Sequence, residues 1–375
     1  MKTIEKNINE TLSYSFKPQF SNSDLLFFDI ETTGFSPKTS ALYLIGVMYY
    51  SEGNWQIIQW FADDYESEKD LLICFFQFVQ NYSCLIHFNG MGFDIPFLRK
   101  KCSQHKLDHY TNYFEQMCQI DIYKQLLPHK KKLQLENLKQ KTVEAFLHLN
   151  REDTYSGGEL IAFYRNYLQA KLNGDIDTEH KLLHSLLLHN QEDLSGMLKF
   201  SNILNLVDLL NGSVTFTNIQ CTKENDQLCI TAKLPYKNIC NLFFQNSVFS
   251  ILLSHDSLSL NVKVFNGKLK YFYENYKDYY YLPLEDTAIH KSVAAFVDKE
   301  YREKAKKETC YLKKEDTFIP YYGCHYNTIF KKEYKAPEKY ILYKEELLND
   351  TTFLIDFIQS FLCFYPDLSL GPHIN

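Results

Sequence analysis

The sequence is poor in the features that mark several large classes of protein. Glycine (13) and proline (10) are sparse among 375 residues, which excludes collagen-like and low-complexity chains. No Cys-x-x-Cys pair occurs among the ten cysteines, so neither a zinc ribbon nor a thioredoxin motif is indicated. Hydrophobic residues make up 45% of the chain and charged residues 23%, values typical of a folded protein with a substantial core.

The chain also lacks long apolar runs and a large excess of positive charge. The first ten residues, MKTIEKNINE, contain no apolar core of a secretory signal. With scattered cysteines and no export signal, we expect a cytoplasmic protein that makes no contact with a membrane. The formal net charge is −6, so bulk positive charge does not attract nucleic acid. Such a partner has to be contacted through local basic patches or through bound metal.

Two regions with different patterns follow one another along the chain. Up to about residue 210, apolar runs of strand length alternate with helical patterns, which predicts an α/β domain with a mixed sheet flanked by helices. The predicted strands are 25–30, 43–50, 55–61, 84–88 and 120–123. From Gly212, short β-branched and aromatic runs predominate and a helix is predicted over 288–307. We therefore expect one domain over 1–211 and a smaller α+β domain of unknown role over 212–375.

Two carboxylates stand at the end of the first predicted strand. Asp29 and Glu31 are two residues apart, so both point to the same face of a strand. Like charges at the end of an apolar strand repel each other and are costly to desolvate unless a cation neutralises them. Oxygen ligands of this kind suit Mg²⁺ or Mn²⁺. The alternative for an isolated Asp-x-Glu is a solvated turn after a strand.

A second polar segment follows the predicted strand at 84–88. Asn89, Phe93 and Asp94 lie where this strand gives way to a helix, the edge at which open α/β sheets bind ligands. Asp94 adds a third carboxylate, and Phe93 is either part of the core or a surface on which a base stacks. Taken alone, an acid at the position of Asp94 is more often a helix N-cap than a metal ligand. Arg99 begins a basic run, Arg-Lys-Lys, and is a candidate for contact with a nucleic-acid backbone.

A third signal lies on a predicted helix near residue 190. One stripe of this helix contains, at spacings of three or four residues, Leu182, Leu186, His189, Asp193 and Met197. The apolar members should face the protein and carry His189 and Asp193 inward with them. The alternative is a His–Asp pair on the surface, where it adds little stability. Glu192 lies off this stripe, and we expect it in solvent.

Together these segments resemble the DEDD (DnaQ-like) 3′–5′ exonucleases of the RNase H-like fold. The matching residues are Asp29 and Glu31 for the first motif, Asp-x-Glu, Asn89, Phe93 and Asp94 for the second, Asn-x-x-x-Phe-Asp, and Asp193 for the last acid of the third. The sequence at 151–159, REDTYSGGE, is similar to the YprB-like branch of this family. The resemblance covers about residues 24–200.

The resemblance implies a metal-dependent exonuclease that acts on the phosphodiester bonds of DNA or RNA, at a free 3′ end. Four acids, Asp29, Glu31, Asp94 and Asp193, would hold two divalent cations, Mg²⁺ or Mn²⁺, in a two-metal mechanism. His189 would take the proton of the attacking water. It precedes Asp193 by four residues, a spacing that belongs to the Tyr variant of the third motif, whereas the His variant usually has five.

Two other functions stay open at this point. One is a non-catalytic nucleic-acid-binding or scaffold protein that retains the exonuclease fold. The presence of all four acids argues against it, because clustered carboxylates without cations are a stability liability. The other is an endonuclease of the same fold. The choice of DNA or RNA as the substrate stays open, and so does the oligomeric state.

Overall fold

The computed structural model describes residues 1–12, 14–16, 19–238 and 241–364. The chain divides into two compact units. The first comprises residues 1–131 and 135–207, and the second comprises residues 132–134 and 208–375. Within the described ranges, no helix is both long enough and apolar enough to cross a lipid bilayer.

A six-stranded mixed sheet lies at the centre of the first unit. Its strands are β1 (Lys2–Ile8), β2 (Leu25–Thr32), β3 (Leu42–Ser51), β4 (Asn54–Phe61), β5 (Cys84–His87) and β6 (Cys118–Asp121). Their spatial order is β1-β4-β3-β2-β5-β6. β2 pairs with β3 in the antiparallel sense and with β5 in the parallel sense. β2 is therefore an inner strand, as its continuous apolar run predicts.

Helices alternate with these strands and follow them along the chain. They are α1 (Glu68–Val79), α2 (Asp94–Gln104), α3 (Tyr113–Gln116), α4 (Ile122–Leu126), α5 (Gln140–Phe146), α6 (Gly157–Asn173), α7 (Ile176–Phe200) and α8 (Ile203–Leu210), the last of which begins in the first unit and ends in the second. The prediction of a mixed sheet flanked by helices is confirmed. Phe28 of β2 and Phe75 of α1 are fully buried, with ring centroids 5.6 Å apart. Burying one such side chain contributes about 1.5–3 kcal/mol.

Several boundaries differ from the sequence-based ones. β1 was not predicted, because only Ile4 and Ile8 in it are aliphatic and it has one neighbour, β4, at the edge of the sheet. α2 begins at Asp94 rather than near Pro96, since proline is tolerated in the first turn of a helix. β6 begins and ends two residues earlier than predicted.

The second unit consists mostly of strands. They are β7 (Thr217–Glu224), β8 (Gln227–Lys233), β9 (Leu242–Gln245), β10 (Phe249–Ser254), β11 (Ser257–Lys263), β12 (Phe265–Phe272), β13 (Tyr279–Leu282), β14 (Thr287–His290), β15 (Glu303–Lys304), β16 (Tyr311–Pro320), β17 (Phe330–Lys331) and β18 (Tyr340–Leu342). β7 to β11 form one sheet, β12, β16, β18 and β17 close into a small barrel, and β13 to β15 form a third sheet. The helices here are α9 (Lys291–Ala294) and α10 (Thr351–Gln359).

The helix predicted over 288–307 is wrong. This segment contains the end of β14, the single turn of α9 and the short strand β15. Thr287–His290 pairs with Tyr279–Leu282, and Glu303 and Lys304 pair with the same strand on its other side. The alanines, lysines and glutamates of the segment favour a helix locally, but cross-strand pairing to the tyrosine-rich β13 outweighs that propensity.

Candidate active site

The centre of the candidate site is the carboxyl end of β2. Asp29 is directly opposite Gly46 of β3 in the antiparallel register. Asn190 of α7 donates a hydrogen bond from Nδ2 to Oδ2 of Asp29 at 2.9 Å, and its own Oδ1 accepts one from Gln59 at 2.9 Å. A Cβ at position 46 would lie 1.9 Å from Oδ1 of Asn190, so the glycine lets α7 approach this part of the sheet.

Asp94 joins the two acids of β2 from the first turn of α2. Its carboxylate accepts hydrogen bonds from its own backbone N–H and from the backbone N–H of Ile30, the residue between Asp29 and Glu31. Burial raises the pKa of Asp94 to about 7, and the charges of Asp121 and Asp193 add to this effect while the two backbone hydrogen bonds oppose it. Asp94 therefore both begins a helix and lies against the backbone of β2.

The acids of the site act on each other electrostatically. Burial raises the pKa of Asp29 well above its ordinary value, and the negative charges of Asp193, Glu31 and Asp94 raise it further. Burial likewise raises the pKa of Glu31, and the negative charges of Asp193 and Asp94 raise it further. A hydrogen bond from Tyr43 opposes this shift. Four carboxylates from three separate segments thus crowd one partly desolvated volume.

α7 supplies the remaining two of the five predicted catalytic residues. His189 and Asp193 lie one turn apart on the face that packs against the sheet, where Leu186 and Met197 are buried as well. Nε2 of His189 is 3.3 Å from Oδ2 of Asp193 and 3.6 Å from Oε1 of Glu31. The predicted stripe therefore faces inward, and it carries both polar side chains to the end of β2.

The segment after β5 is shaped by an acid that the sequence analysis missed. Asp121, at the end of β6, accepts hydrogen bonds from the backbone N–H groups of Asn89 at 2.9 Å and of Met91 at 3.3 Å. Asn89 adopts a left-handed conformation, with φ of 62°. Its side chain is exposed. The position of Asp121 at the carboxyl end of a strand next to β5 was the signal in the sequence, but its predicted strand extended past it to residue 123.

Phe93 is half-buried and packs edge-on against Phe35, with ring centroids 6.2 Å apart. The Phe35 side chain itself is 91% exposed in the loop after β2. Phe93 is therefore partly a core residue, and its role as a surface on which a base stacks stays a prediction. The more accessible ring of the pair is Phe35, which the sequence analysis did not single out.

The basic run after Asp94 does not act as one unit. Arg99 is half-buried and lies 3.4 Å from the exposed Glu115, and the structure does not bring it to the acids. Lys101 is buried and forms an ion pair of 2.8 Å with Glu68. Lys101 is therefore engaged within the fold, whereas Lys100 is exposed.

Arg151 is a second residue that the sequence analysis missed. Its guanidinium lies between four carboxylates: Glu144 at 3.2 Å, Asp153 at 3.5 Å, Glu192 at 3.6 Å and Asp193 at 2.7 Å. Burial by itself would lower the pKa of Arg151, but the negative charges around it raise the pKa above its ordinary value. The guanidinium of Arg151 thus pairs with Oδ1 of Asp193, and Oδ2 of Asp193 faces His189.

The expectation that Glu192 lies in solvent is wrong. Its side chain is half-buried and accepts hydrogen bonds from the backbone N–H groups of Glu152 at 2.9 Å and Asp153 at 2.8 Å. The loop at 151–155 therefore folds back onto α7. Asp153 in turn lies 2.6 Å from Nδ1 of His189. Helical periodicity describes only the contacts of α7 with the sheet, so it gave no sign of this loop.

The donor groups of the site fit a divalent cation. In the part of the chain that the structure describes, one group of three His, Cys, Asp or Glu side chains has ligand atoms within 4.8 Å of one another, and it consists of Glu31, His189 and Asp193. Asp29 and Asp94 add two carboxylates whose raised pKa values reflect crowding by negative charge. A bound cation relieves this crowding, and hard oxygen donors are those that Mg²⁺ and Mn²⁺ prefer.

Comparison with known proteins agrees with this fold. A model of the RNase H superfamily matches residues 26–205. The fold of this domain is RNase H-like. The match includes β2, α2 and α7, the elements that carry Asp29, Glu31, Asp94, His189 and Asp193. No curated protein matches the sequence.

Solved structures show weaker likenesses. The family B DNA polymerase of the hyperthermophilic archaeon Pyrobaculum calidifontis is 13% identical, with a TM-score of 0.38 over 68% of this chain and 35% of that chain. E. coli ExoI in a zinc-bound complex with single-stranded DNA is 13% identical, with a TM-score of 0.28 over 61% of this chain and 54% of that one. The chain thus spans about a third of the polymerase and half of the exonuclease. With TM-scores below 0.5, these likenesses carry no weight for function.

Proposed function

We propose that the RNase H-like domain is a divalent-cation-dependent 3′–5′ exonuclease that hydrolyses the phosphodiester bonds of nucleic acid. One observation carries this proposal: Asp29, Glu31, Asp94 and Asp193 crowd one volume next to His189. A buried group of four acids is unfavourable by itself and becomes favourable when it holds cations. The 3′–5′ direction of hydrolysis is inferred from the resemblance of the motifs to those of the DEDD exonucleases.

The four acids would hold the divalent cations. The mechanism that the motifs imply uses two such cations. Bound divalent cations lower the pKa of a coordinated water and stabilise the charge on the leaving oxygen. His189 contributes Nε2, which faces Glu31 and Asp193 and would accept the proton of the attacking water. The Asn190 amide orients Asp29, and the Arg151 guanidinium orients Asp193.

The surroundings of the acids also suit a polynucleotide. The exposed ring of Phe35, supported by Phe93, offers an aromatic face on which a terminal base can stack. The net charge of −6 does not oppose binding if the cations bridge the acidic protein and the anionic phosphate. Arg99, half-buried on α2, is the proposed contact to the nucleic-acid backbone.

The test is digestion of 5′-labelled single- and double-stranded DNA and RNA with Mg²⁺ or Mn²⁺. We expect products that shorten stepwise from the 3′ end, and no reaction in EDTA. Asp29→Asn should abolish digestion while the protein stays folded, because the substitution removes a metal ligand and keeps the shape of the side chain. Asp175→Asn, at the exposed N-cap of α7, is the matched control and should keep full activity.

Other results would contradict the proposal. Cleavage of a circular single-stranded DNA, which has no end, would identify an endonuclease. Digestion by Asp29→Asn at the rate of the unsubstituted protein would separate the activity from these acids. Oligonucleotide binding without any turnover in either metal would favour the non-catalytic binding protein.

A further inference from the structure

The imidazole of His189 lies between the candidate metal ligands and one further carboxylate. Its Nε2 faces Glu31 and Asp193, whereas its Nδ1 is 2.6 Å from Oδ2 of Asp153. His189 is 8% exposed and Asp153 is 4% exposed, so water does not compete freely for this contact. A carboxylate accepts hydrogen bonds and does not donate them. Its partner must therefore be an Nδ1–H group, which leaves Nε2 as the acceptor of the neutral ring.

Asp153 is itself held in place on both sides of its side chain. The backbone N–H of Tyr155 donates to its Oδ1 at 3.0 Å. Its own backbone N–H donates to Glu192 at 2.8 Å, and Glu192 lies on the same helix as His189. Two cations, Lys141 at 3.4 Å and Arg151 at 3.5 Å, face Oδ2. The loop at 151–155 therefore presents the carboxylate to His189 in one fixed orientation.

We propose that Asp153 is a positioning residue, which fixes the ring orientation and the Nδ1–H tautomer of His189 so that Nε2 faces the acids as a proton acceptor. This inference rests on the proposed function, since an acceptor at Nε2 serves the reaction where a water is deprotonated. Asp153 touches neither Asp29 nor Glu31 among the contacts of the structure and acts through the imidazole.

The substitution Asp153→Asn tests this geometry with one atom changed. The N–H of Tyr155 is 3.0 Å from Oδ1, closer than Lys141 and Arg151 are to Oδ2, so the amide oxygen of Asn should take the place of Oδ1. The amide nitrogen then stands where Oδ2 stands now and donates to Nδ1 of His189. The neutral imidazole would carry its proton on Nε2, and Nε2 would no longer accept a proton from water.

The experiment reads the tautomer directly. In metal-free protein labelled with ¹⁵N, at a pH high enough for the ring to be neutral, the two ring-nitrogen shifts distinguish Nδ1–H from Nε2–H, and the signals that vanish in His189→Gln identify the residue. We expect Nδ1–H in the unsubstituted protein and in the control Asp175→Asn, and Nε2–H in Asp153→Asn. On an oligonucleotide with Mn²⁺, Asp153→Asn should lower kcat by about 100-fold. KM and the affinity for Mn²⁺, measured by calorimetry, should stay within about twofold, because no metal ligand changes.

Two results would overturn the inference. One is an Nε2–H tautomer of His189 in the unsubstituted protein, which needs no variant to fold. The other is an unchanged tautomer or an unchanged kcat in Asp153→Asn. If the unsubstituted protein hydrolyses no polynucleotide, the proposed function fails, while the tautomer comparison still decides whether Asp153 positions the ring.

Discussion

At the scale of single residues, the candidate site consists of acids that are held in an unfavourable arrangement by well-placed neutral partners. Asn190 donates to Asp29, Tyr43 donates to Glu31, and the N–H of Ile30 donates to Asp94. Each contact favours the charged form of its carboxyl group, yet burial and mutual repulsion still raise the pKa values of all three. The fold thus keeps donor oxygens together that repel each other without a cation.

This conflict predicts a pH dependence of stability. The pKa of Asp94 is about 7 in the folded protein, against an ordinary value of 3.8. A folded state with the higher pKa binds the proton more tightly, so the contribution of Asp94 to stability is greatest at low pH and falls as the pH rises from about 4 through 7. In EDTA, the Tm of the unsubstituted protein should therefore fall relative to that of Asp94→Asn between pH 5 and pH 8.

Asp29 and Glu31 have raised pKa values as well, so part of the decline should persist in Asp94→Asn. Taking the difference between the two proteins removes groups with the opposite effect, such as His87, whose pKa burial lowers to about 4. Parallel Tm curves for the two proteins over this pH range would contradict the assignment of Asp94 to the crowded group.

At the scale of elements, the close approach of α7 to β3 sets the position of Asp29. Gly46→Ala should disturb it, because the new methyl group would overlap Oδ1 of Asn190 and approach Cδ1 of Leu194 to 2.8 Å. We expect a loss of about 1–3 kcal/mol of stability, as for other overpacked cores, together with weaker Mn²⁺ binding. Chemical denaturation and calorimetry measure the two effects.

Gly158→Ala is the matched control for this variant. A Cβ at position 158 meets no atom within 4 Å, and the residue lies in the first turn of α6. The change should be neutral or slightly stabilising, since alanine favours a helix over glycine. Equal stability of Gly46→Ala and Gly158→Ala would show that α7 does not depend on the missing side chain.

The elements differ in how far the sequence predicted them. β2 and β3 are buried on both faces, and α7 has an apolar stripe of helical period, so local patterns predict these elements. In the segment 288–307, the local helix propensity obscured the hairpin that β14 forms with the neighbouring β13. The edge strand β1 depends on pairing with the distant β4, and no local pattern carries that information. The partners of the site escaped prediction for the same reason: Arg151 is 42 residues from Asp193, and Asp121 is 30 residues from Met91.

At the scale of the whole molecule, cation binding should be coupled to folding. A ligand that binds only the folded state stabilises it by about 2.7 kcal/mol at a concentration 100 times its Kd. Mn²⁺ should therefore raise the Tm of the unfolding transition that contains the first unit, and EDTA should reverse the rise. Asp29→Asn should reduce the effect, and Asp175→Asn should keep it.

A Tm that does not respond to Mn²⁺ would contradict the assignment of the acids as a metal site. It would also favour the alternative of a protein that retains the fold and only binds nucleic acid. Because cation binding stabilises the folded state without any substrate, this measurement is independent of the choice between DNA and RNA.

The environment of Arg151 has a consequence for how this unit opens. One guanidinium contacts carboxylates from α5, from the loop at 151–155 and from the middle of α7. Releasing any one of these segments leaves an uncompensated charge in the others, so they should separate from the protein together rather than one at a time. Amide hydrogens in all three segments should then exchange with deuterium at closely similar free energies, as a single cooperative subregion beside the sheet.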